Sequence, residues 1–312
     1  MKKFNTQIRY ELCPQMKEYD KMERQWLPHL MFTQIPSYRS DVINTDINGF
    51  RHNSKKCFDR NNILINKKKT SLLIGSSSVF GVGASKDIKT ISSYLSDNNT
   101  EVLNFGGRAY NSFQEIISYI SFCDQVKNIS SINVFSGVND YFMFKNSIKN
   151  NYVGPLYSEN LFYKKMERIS FLFKLKKILQ FNSTKKKYYP YPETSLEKII
   201  DRNLFFWKKI SKGINTNLNF FLQPFIFWCK DQTSEEKQLI DFADKRLALI
   251  RSEENYNKLK KIYKMKCEEF EINFVDTNEL LNNADNKWLF VDSIHLNDTG
   301  YELIAEKIKK WI

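Results

Sequence analysis

The sequence is poor in the residues that build metal centres and disulfide frameworks. Its 312 residues include three histidines and five cysteines. The cysteines lie far apart and lack the paired spacing typical of zinc ligands or disulfides: Cys13, Cys57, Cys123, Cys229 and Cys267. We therefore expect reduced thiols in a reducing compartment, the cytoplasm.

Long hydrophobic runs are absent as well. No stretch approaches the roughly 18 uninterrupted apolar residues of a membrane-spanning helix. The first residues are basic but lead into no apolar signal-peptide core. We therefore expect neither a transmembrane segment nor secretion by a signal peptide.

Acidic residues are scarce in one part of the chain. The net charge is +13, and between Tyr141 and Pro190 there are eleven Lys or Arg against two Glu. This excess favours an anionic partner such as a glycan, an acidic carrier or a membrane surface. A basic amphipathic helix predicted at Leu161–Gln180 keeps peripheral membrane contact open, with packing on the parent domain as the alternative. The lysines match no nucleic-acid recognition motif, so we expect no nucleic-acid partner.

From Ser71 onward, short apolar runs alternate with amphipathic stretches. This alternation predicts an α/β protein with a parallel sheet of about five strands. The predicted strands are Ser71–Ile74, Glu101–Phe105, Ser131–Ser136, Leu218–Ile226 and Ile272–Val275. The predicted helices are Ile88–Asp97, Ser112–Asp124, Ser234–Arg251, Tyr256–Phe270 and a last one after Asn297.

Two segments fall outside the alternation. Residues 1–70 are predicted to form an arm packed on the core, and residues 141–216 an inserted helical cap within a domain of residues 71–312. The cap has helical patterns at Leu161–Gln180 and Leu196–Lys212. In the arm, an Asn48-Gly49 turn leads into Phe50 and Arg51, which we interpret as a surface turn pinned by Phe50. The alternative puts Arg51 near a site entrance.

Three candidate nucleophiles follow the first strand of the alternation. The run Leu72–Gly83 passes from apolar residues into Gly75-Ser76-Ser77-Ser78, typical of a buried strand entering a tight turn with exposed hydroxyls. A nucleophilic hydroxyl needs a base, and of the three histidines only His295 follows a carboxylate, Asp292, at a spacing that allows one to orient the other. The alternative is that Asp292 caps a turn and His295 is a surface histidine.

An oxyanion needs hydrogen-bond donors, and two loops after predicted strands offer them. The loop Asn104–Ser112 is rich in small residues, and Gly137-Val138-Asn139-Asp140 presents the Asn139 amide. With Gly75-Ser76-Ser77 and Asp292-Ser293-Ile294-His295, these segments stand in the order of the four sequence blocks of the SGNH, or GDSL-like, hydrolases, which the chain resembles from Ser71 to its end. The resemblance implies a flavodoxin-like sheet with helices on both faces. It also implies that Ser77 is the nucleophile, His295 the base and Asp292 its orienting acid, with an oxyanion hole of Ser77 N–H, Ala109 N–H and the Asn139 side chain.

The chain departs from this family at two positions. Ser76 stands where the family has an acidic residue, which suggests the variants with a small residue there. Ala109 stands at the glycine of the second block, where its N–H is a sound donor if its φ is negative; Gly107 is the fallback donor. The ordinary α/β-hydrolase elbow is disfavoured because the second glycine is missing at Val79.

These residues and the resemblance predict a serine ester hydrolase that removes an O-acyl group, in particular O-acetyl, from a small-molecule or glycan ester, without metal or organic cofactor. The basic segment suggests an anionic saccharide as one such substrate. Two alternatives stay open. The same three residues would serve an O-acyltransferase if a sugar hydroxyl replaced water. A non-catalytic protein that binds a glycan or another polyanion through the basic segment is the third interpretation.

Overall fold

The computed structural model describes residues 6–53, 69–126, 128–146, 168–169, 194–240, 245–282, 284 and 287–312. The chain begins with an arm of two short helices and a hairpin. Its elements are α1 (Thr6–Leu12), α2 (Met16–Lys21), β1 (Arg24–Leu27) and β2 (Met31–Gln34), with β1 and β2 antiparallel. The sequence analysis predicted an arm but not this hairpin.

One five-stranded sheet forms the centre of the molecule. Its strands are β3 (Lys69–Gly75), β4 (Thr100–Gly106), β5 (Ile129–Ser136), β6 (Asn217–Leu222) and β7 (Asn273–Asp276). They are parallel throughout, in the order β4-β3-β5-β6-β7. This is the flavodoxin-like order, and it confirms the predicted α/β fold. The predicted strand Leu218–Ile226 is too long, because Pro224 has no N–H to continue the ladder and Ile226 begins a helix.

Helices cover both faces of the sheet. The helices of the described chain after the arm are α3 (Ser77–Phe80), α4 (Ile91–Leu95), α5 (Ser112–Phe122), α6 (Val138–Asn146), α7 (Leu196–Gly213), α8 (Ile226–Cys229), α9 (Ser234–Ile240), α10 (Glu253–Glu269), α11 (Thr277–Leu281) and α12 (Asp298–Ile308). Successive side chains of a strand face opposite sides, so Leu72 and Ile74 of β3 pack with α5, α7 and α10, while Leu73 packs with α4 and α12.

The segment predicted as a cap contains a helix that belongs to the core layer. Helix α7 connects β5 to β6, and its Leu204 and Trp207 are buried in the same cluster as Leu72. It therefore covers the sheet as a crossover helix, which corrects the interpretation of this part of 141–216 as a cap. Except for residues 168–169, the helix predicted at Leu161–Gln180 lies outside the described residues.

The arm is attached to the sheet domain through a buried arginine. Arg51 lies in the turn that we interpreted as a surface feature, yet it is 2% exposed. It forms an ion pair of 2.8 Å with Asp87 and donates to the carbonyl oxygens of Phe80 and Gly81 at the end of α3. The interpretation as a surface turn was wrong, and Arg51 fastens the arm beneath the short helix that begins at Ser77. Across the described ranges, no helix is long and apolar enough to span a membrane.

Candidate active site

The candidate site lies at the carboxyl ends of the first three strands of the sheet. Ser77 is the first residue of α3, directly after β3, and Ala109 and Asn139 follow β4 and β5. The strand order reverses between β3 and β5, the position where open α/β sheets form binding crevices. Gly106 brings β4 close to α3, since a Cβ there would lie 2.1 Å from the Phe80 nitrogen.

Three side chains form a continuous hydrogen-bonded chain at this edge. Ser77 Oγ lies 2.7 Å from His295 Nε2. His295 Nδ1 lies 2.7 Å from Asp292 Oδ2. With Nδ1 protonated toward the carboxylate, Nε2 is left to accept the serine proton, which is the arrangement of a nucleophile, a base and an orienting acid.

The loop that carries Asp292 and His295 is closed by backbone bonds. Phe290 pairs with Leu296 in an isolated bridge, and the Val291 N–H donates to the His295 carbonyl oxygen at 2.9 Å. Asp292 Oδ1 accepts from the His295 N–H at 2.8 Å and from the Ile294 N–H at 2.9 Å. The three-residue spacing is therefore that of a tight turn, and it fixes the carboxylate relative to the ring.

The Asp292 carboxylate is held in its charged form. Burial acts to raise its pKa, but His295 and the Ile294 N–H outweigh it and lower the pKa to about 2. Asp292 is therefore ionised throughout the neutral range and stabilises a protonated imidazole.

The proposed oxyanion donors line the same cavity as the serine and histidine. This cavity of about 310 Å³ is bordered by Ser77, Ala109, Asn139 and His295. Asn139 Nδ2 donates one hydrogen to the Tyr110 carbonyl oxygen at 2.9 Å, which orients the amide and leaves its second hydrogen.

The conformation of Ala109 differs from the expectation. Its φ is +61°, not negative, so a non-glycine residue occupies the left-handed region here. The fallback donor is already engaged, because the Gly107 N–H donates to the Gly75 carbonyl oxygen at 3.0 Å. Ala109 therefore remains the better candidate of the two, at the cost of backbone strain of about 1 kcal/mol.

A buried amide, which the sequence analysis did not assign to the site, links three loops around Ser77. Gln223 Oε1 accepts from Ser76 Oγ at 3.2 Å, and its Nε2 donates to Ser78 Oγ at 2.8 Å. Ser78 Oγ in turn donates to the Ile294 carbonyl oxygen at 3.2 Å. The residues on both sides of the candidate nucleophile are thus fastened to β6 and to the histidine loop.

Two buried carboxylates lie behind the Ala109 and Asn139 loops. Asp140 accepts from Ser112 Oγ at 2.7 Å and from the Ser112 N–H, joining the first turns of α5 and α6. Burial raises the pKa of Asp140 to about 6 despite these bonds. Glu115 accepts from Ser136 Oγ at 2.8 Å, and burial followed by the charge of Asp140 raises its pKa. They tie together the two loops that carry the candidate oxyanion donors.

The other histidines lie away from this cavity. His29 is exposed, and His52 is buried in the arm, where burial lowers its pKa. In the described part of the chain, no group of three or more His, Cys, Asp or Glu side chains could hold a metal ion. Cys13, Cys229 and Cys267 are buried and form no disulfide in the described part of the chain.

Comparison with known proteins gives a weak structural likeness. Neither a protein-family model nor a curated protein matches the sequence. The structure is similar to an acetyl xylan esterase, AlAXEase, at 14% identity and a TM-score of 0.40, covering 78% of this chain and 98% of that one. A putative lipolytic protein of the G-D-S-L family from Desulfitobacterium hafniense DCB-2 aligns at 12% identity and a TM-score of 0.45, covering 78% and 100%. Est24, a carbohydrate acetylesterase from Sinorhizobium meliloti, aligns at 9% identity and a TM-score of 0.41, covering 78% and 98%. At these identities and TM-scores the likeness assigns no chemistry to the residues of this chain.

Proposed function

We propose that this chain is a serine ester hydrolase that works through an acyl-serine intermediate. The observation that carries the proposal is the chain Ser77 Oγ, His295 and Asp292, with two contacts of 2.7 Å, at the edge of a cavity. Each residue has the partner that its chemical role requires. The order of four sequence blocks, independent of this geometry, agrees with the same three roles.

In the first half of the reaction, Ser77 Oγ attacks the carbonyl carbon of the ester while His295 Nε2 takes the serine proton. Asp292 stabilises the resulting imidazolium. The carbonyl oxygen becomes an oxyanion that accepts from the N–H groups of Ser77 and Ala109 and from Asn139. Collapse of this intermediate breaks the bond to the alcohol, and His295 returns its proton to the leaving oxygen.

In the second half, water replaces the alcohol. His295 takes a proton from the water as its oxygen attacks the acyl carbon, and the same donors hold the second oxyanion. Collapse releases the carboxylic acid, and the proton on His295 returns to Ser77 Oγ. The net reaction consumes one ester and one water and yields an acid and an alcohol.

We further propose that the acyl group is small, with O-acetyl on a saccharide as the leading case. The cavity of about 310 Å³ is at the small end of ligand pockets, which suits a short acyl chain. The names of two similar structures, an acetyl xylan esterase and a carbohydrate acetylesterase, make acetylated saccharides sensible first substrates.

The test measures acetate release from 4-nitrophenyl acetate and from acetylated oligosaccharides, together with labelling by a fluorophosphonate. We expect Ser77→Ala to lower kcat by at least about 10³-fold and to abolish the label. The control is Ser121→Ala, a serine on α5 whose hydroxyl bonds only the Ile117 carbonyl oxygen in the described structure and whose loss should leave both readouts unchanged.

Equal rates for the wild type and Ser77→Ala would overturn the assignment. Adding unacetylated oligosaccharide to the reaction separates hydrolysis from transfer. Free acetate as the main product supports a hydrolase, whereas acetylated acceptor as the main product would replace it with an O-acyltransferase that uses the same residues.

A further inference from the structure

Two arginines of the arm and one that follows β4 line the candidate cavity. Arg9 of α1, Arg24 of β1 and Arg108, which precedes Ala109, line the cavity together with Ser77 and His295. Asp20 of α2 is the acidic residue on this side of the cavity. The arm therefore contributes a cationic surface to the cavity in which Ser77 and His295 lie.

Arg108 is a buried cation whose hydrogen-bond acceptors are all neutral groups in the described structure. Its side chain donates to the Gln34 side-chain oxygen at 2.7 Å and to the carbonyl oxygens of Tyr19, Met22 and Glu23. The guanidinium thus caps carbonyl groups at the end of α2, and the four bonds to neutral acceptors use four of its five N–H groups. Among the described residues Arg108 forms no ion pair, although it is only 8% exposed.

A second buried arginine, in the arm, shows the usual arrangement. Arg51 is also buried but has Asp87 at 2.8 Å. Buried charges are normally paired, because leaving water is costly without a counter-charge. Arg108 instead lies close enough to Arg24 that burial and then the charge of Arg24 lower its pKa to about 10. Two cations thus line the same concave surface.

The remaining arginine lies near the histidine loop. Arg9 forms an ion pair of 2.5 Å with Asp20, and its charge also acts on Asp292, whose pKa it helps to lower. Arg24 lies over the Phe32 ring, with 4.8 Å between the guanidinium carbon and the ring centroid, which restricts its position. The cationic wall is therefore fixed by packing and lies close to the reacting groups.

We propose that Arg24 and Arg108 form a subsite for an oxyanionic group, a carboxylate or a phosphate, on the ester substrate. This inference rests on the proposed ester hydrolysis and names its substrate class. Guanidinium groups match the planar carboxylate and the phosphate oxygens by paired N–H donors. An anion between the two arginines removes their mutual repulsion, so charge on the substrate strengthens binding at this position.

The experiment compares phenyl esters in sets in which the anionic members have a neutral match of similar size. On the alcohol side, 4-acetoxybenzoate and 4-acetoxyphenyl phosphate are compared with the neutral 4-acetoxybenzamide. On the acyl side, monophenyl succinate is compared with phenyl succinamate. We expect kcat/KM for the anionic member of at least one side to exceed that of its neutral match by about tenfold, as one charge-assisted contact supplies.

Two variants that change the charge at the cavity in opposite directions identify the subsite. Arg24→Gln should lower the anionic-to-neutral ratio at least about threefold, and Asp20→Asn, which removes the nearby negative charge, should raise it. Lys258→Gln removes the same charge from an exposed position of α10 and should leave the ratio unchanged. The ratio, not the rate, is the readout, so a loss of folded protein does not imitate the effect.

Binding of the same compounds to Ser77→Ala by calorimetry separates this inference from the proposed function. Hydrolysis of every probe with no preference for charge, or a preference that Arg24→Gln leaves intact, would overturn the subsite and leave the esterase standing. Selective binding of the anionic probes without hydrolysis of any probe by the wild type would overturn the esterase and leave the subsite.

Discussion

The Asp292 carboxylate holds both the His295 ring and the backbone of the loop that carries it. One oxygen accepts from the imidazole, and the other accepts from two backbone N–H groups. An asparagine in its place keeps the shape but presents an N–H on one side. With this N–H facing Nδ1, the asparagine favours the tautomer of His295 that carries its proton on Nε2, and Nε2 can then no longer act as a base.

We predict that Asp292→Asn lowers kcat on 4-nitrophenyl acetate by about 10²- to 10⁴-fold. The contribution of Asp292 to the stability of the wild type should depend on pH as well. Because the folded-state pKa of Asp292 is about 2, below the ordinary value of 3.8, its stabilising effect is present above pH 3.8 and is lost as the pH falls toward 2. It amounts to about 2 kcal/mol.

Urea unfolding at several pH values checks the predicted pH dependence of stability. The difference in unfolding free energy between the wild type and Asp292→Asn should shrink between pH 5 and pH 2.5. Asp41→Asn removes an exposed carboxylate of the arm and serves as the control. A difference for Asp292→Asn that is independent of pH would contradict the lowered pKa of Asp292.

Ala109 is strained by its positive φ of +61°, so glycine and valine at this position should affect stability and activity differently. Glycine removes the left-handed penalty but loosens the unfolded chain, so Ala109→Gly should leave the unfolding free energy within about 1 kcal/mol and keep the N–H donor. Ala109→Val puts a β-branched residue in this region and should cost roughly 1–3 kcal/mol and reduce kcat. Urea unfolding and initial rates measure both. An equal loss of activity in the two variants would show that φ does not set the donor.

At the scale of elements, the site depends on how the loops after β3 and β6 meet the loop of residues 290–296. Gln223 joins all three through Ser76 and Ser78. The contacts span 147 and 145 residues of sequence, so no local pattern indicates them. Their effect is to set the separation of Ser77 from His295.

We predict that Gln223→Met, which keeps the length of the side chain but removes its hydrogen bonds, lowers kcat about tenfold and leaves KM within about twofold. A small change in the separation of nucleophile and base affects the reaction more than binding. Steady-state kinetics on 4-nitrophenyl acetate provide the measurement, with Gln238→Met on the exposed face of α9 as the control. A rise in KM without a change in kcat would argue that Gln223 shapes the pocket instead.

At the scale of the whole molecule, the arm belongs both to the core and to the site. Its residues Cys13, Met16 and Tyr19 pack with Phe80 and Val291 in one buried cluster. The same segment supplies Arg9 and Arg24 of the cavity lining. The arm and the sheet should therefore unfold together.

We predict that Arg51→Met destabilises the protein by about 3–5 kcal/mol, because the partly buried Asp87 then loses its counter-charge and the α3 carbonyls lose their donor. Denaturant unfolding followed by tryptophan fluorescence and by circular dichroism should still give one coincident transition. Arg39→Met, an exposed arginine of the same arm, should change stability by less than about 1 kcal/mol. Separate transitions of the arm and the sheet would contradict this description.

The strands of the sheet could be predicted because most contain a short apolar run that is buried on both faces, as in Leu72–Ile74. The hairpin of β1 and β2 could not, since β1 is exposed or half-buried and lacks a hydrophobic period, with Trp26 half exposed. Helix α7 was recognised as a helix but not as part of the core, because its amphipathic pattern does not say which surface it covers.

The sequence by itself determined the α/β layers and brought forward Ser77, Asp292, His295, Asn139 and Ala109 as candidates, since these depend on local runs, turns and the order of four short blocks. The tertiary structure decided what surrounds them. It placed Gln223 beside Ser76 and Ser78, gave Ala109 a positive φ, and brought Arg24 and Arg108 to the cavity that Ser77 lines. Such neighbours arise when distant segments pack against one another, and side-chain periodicity carries no information about which distant segment that will be.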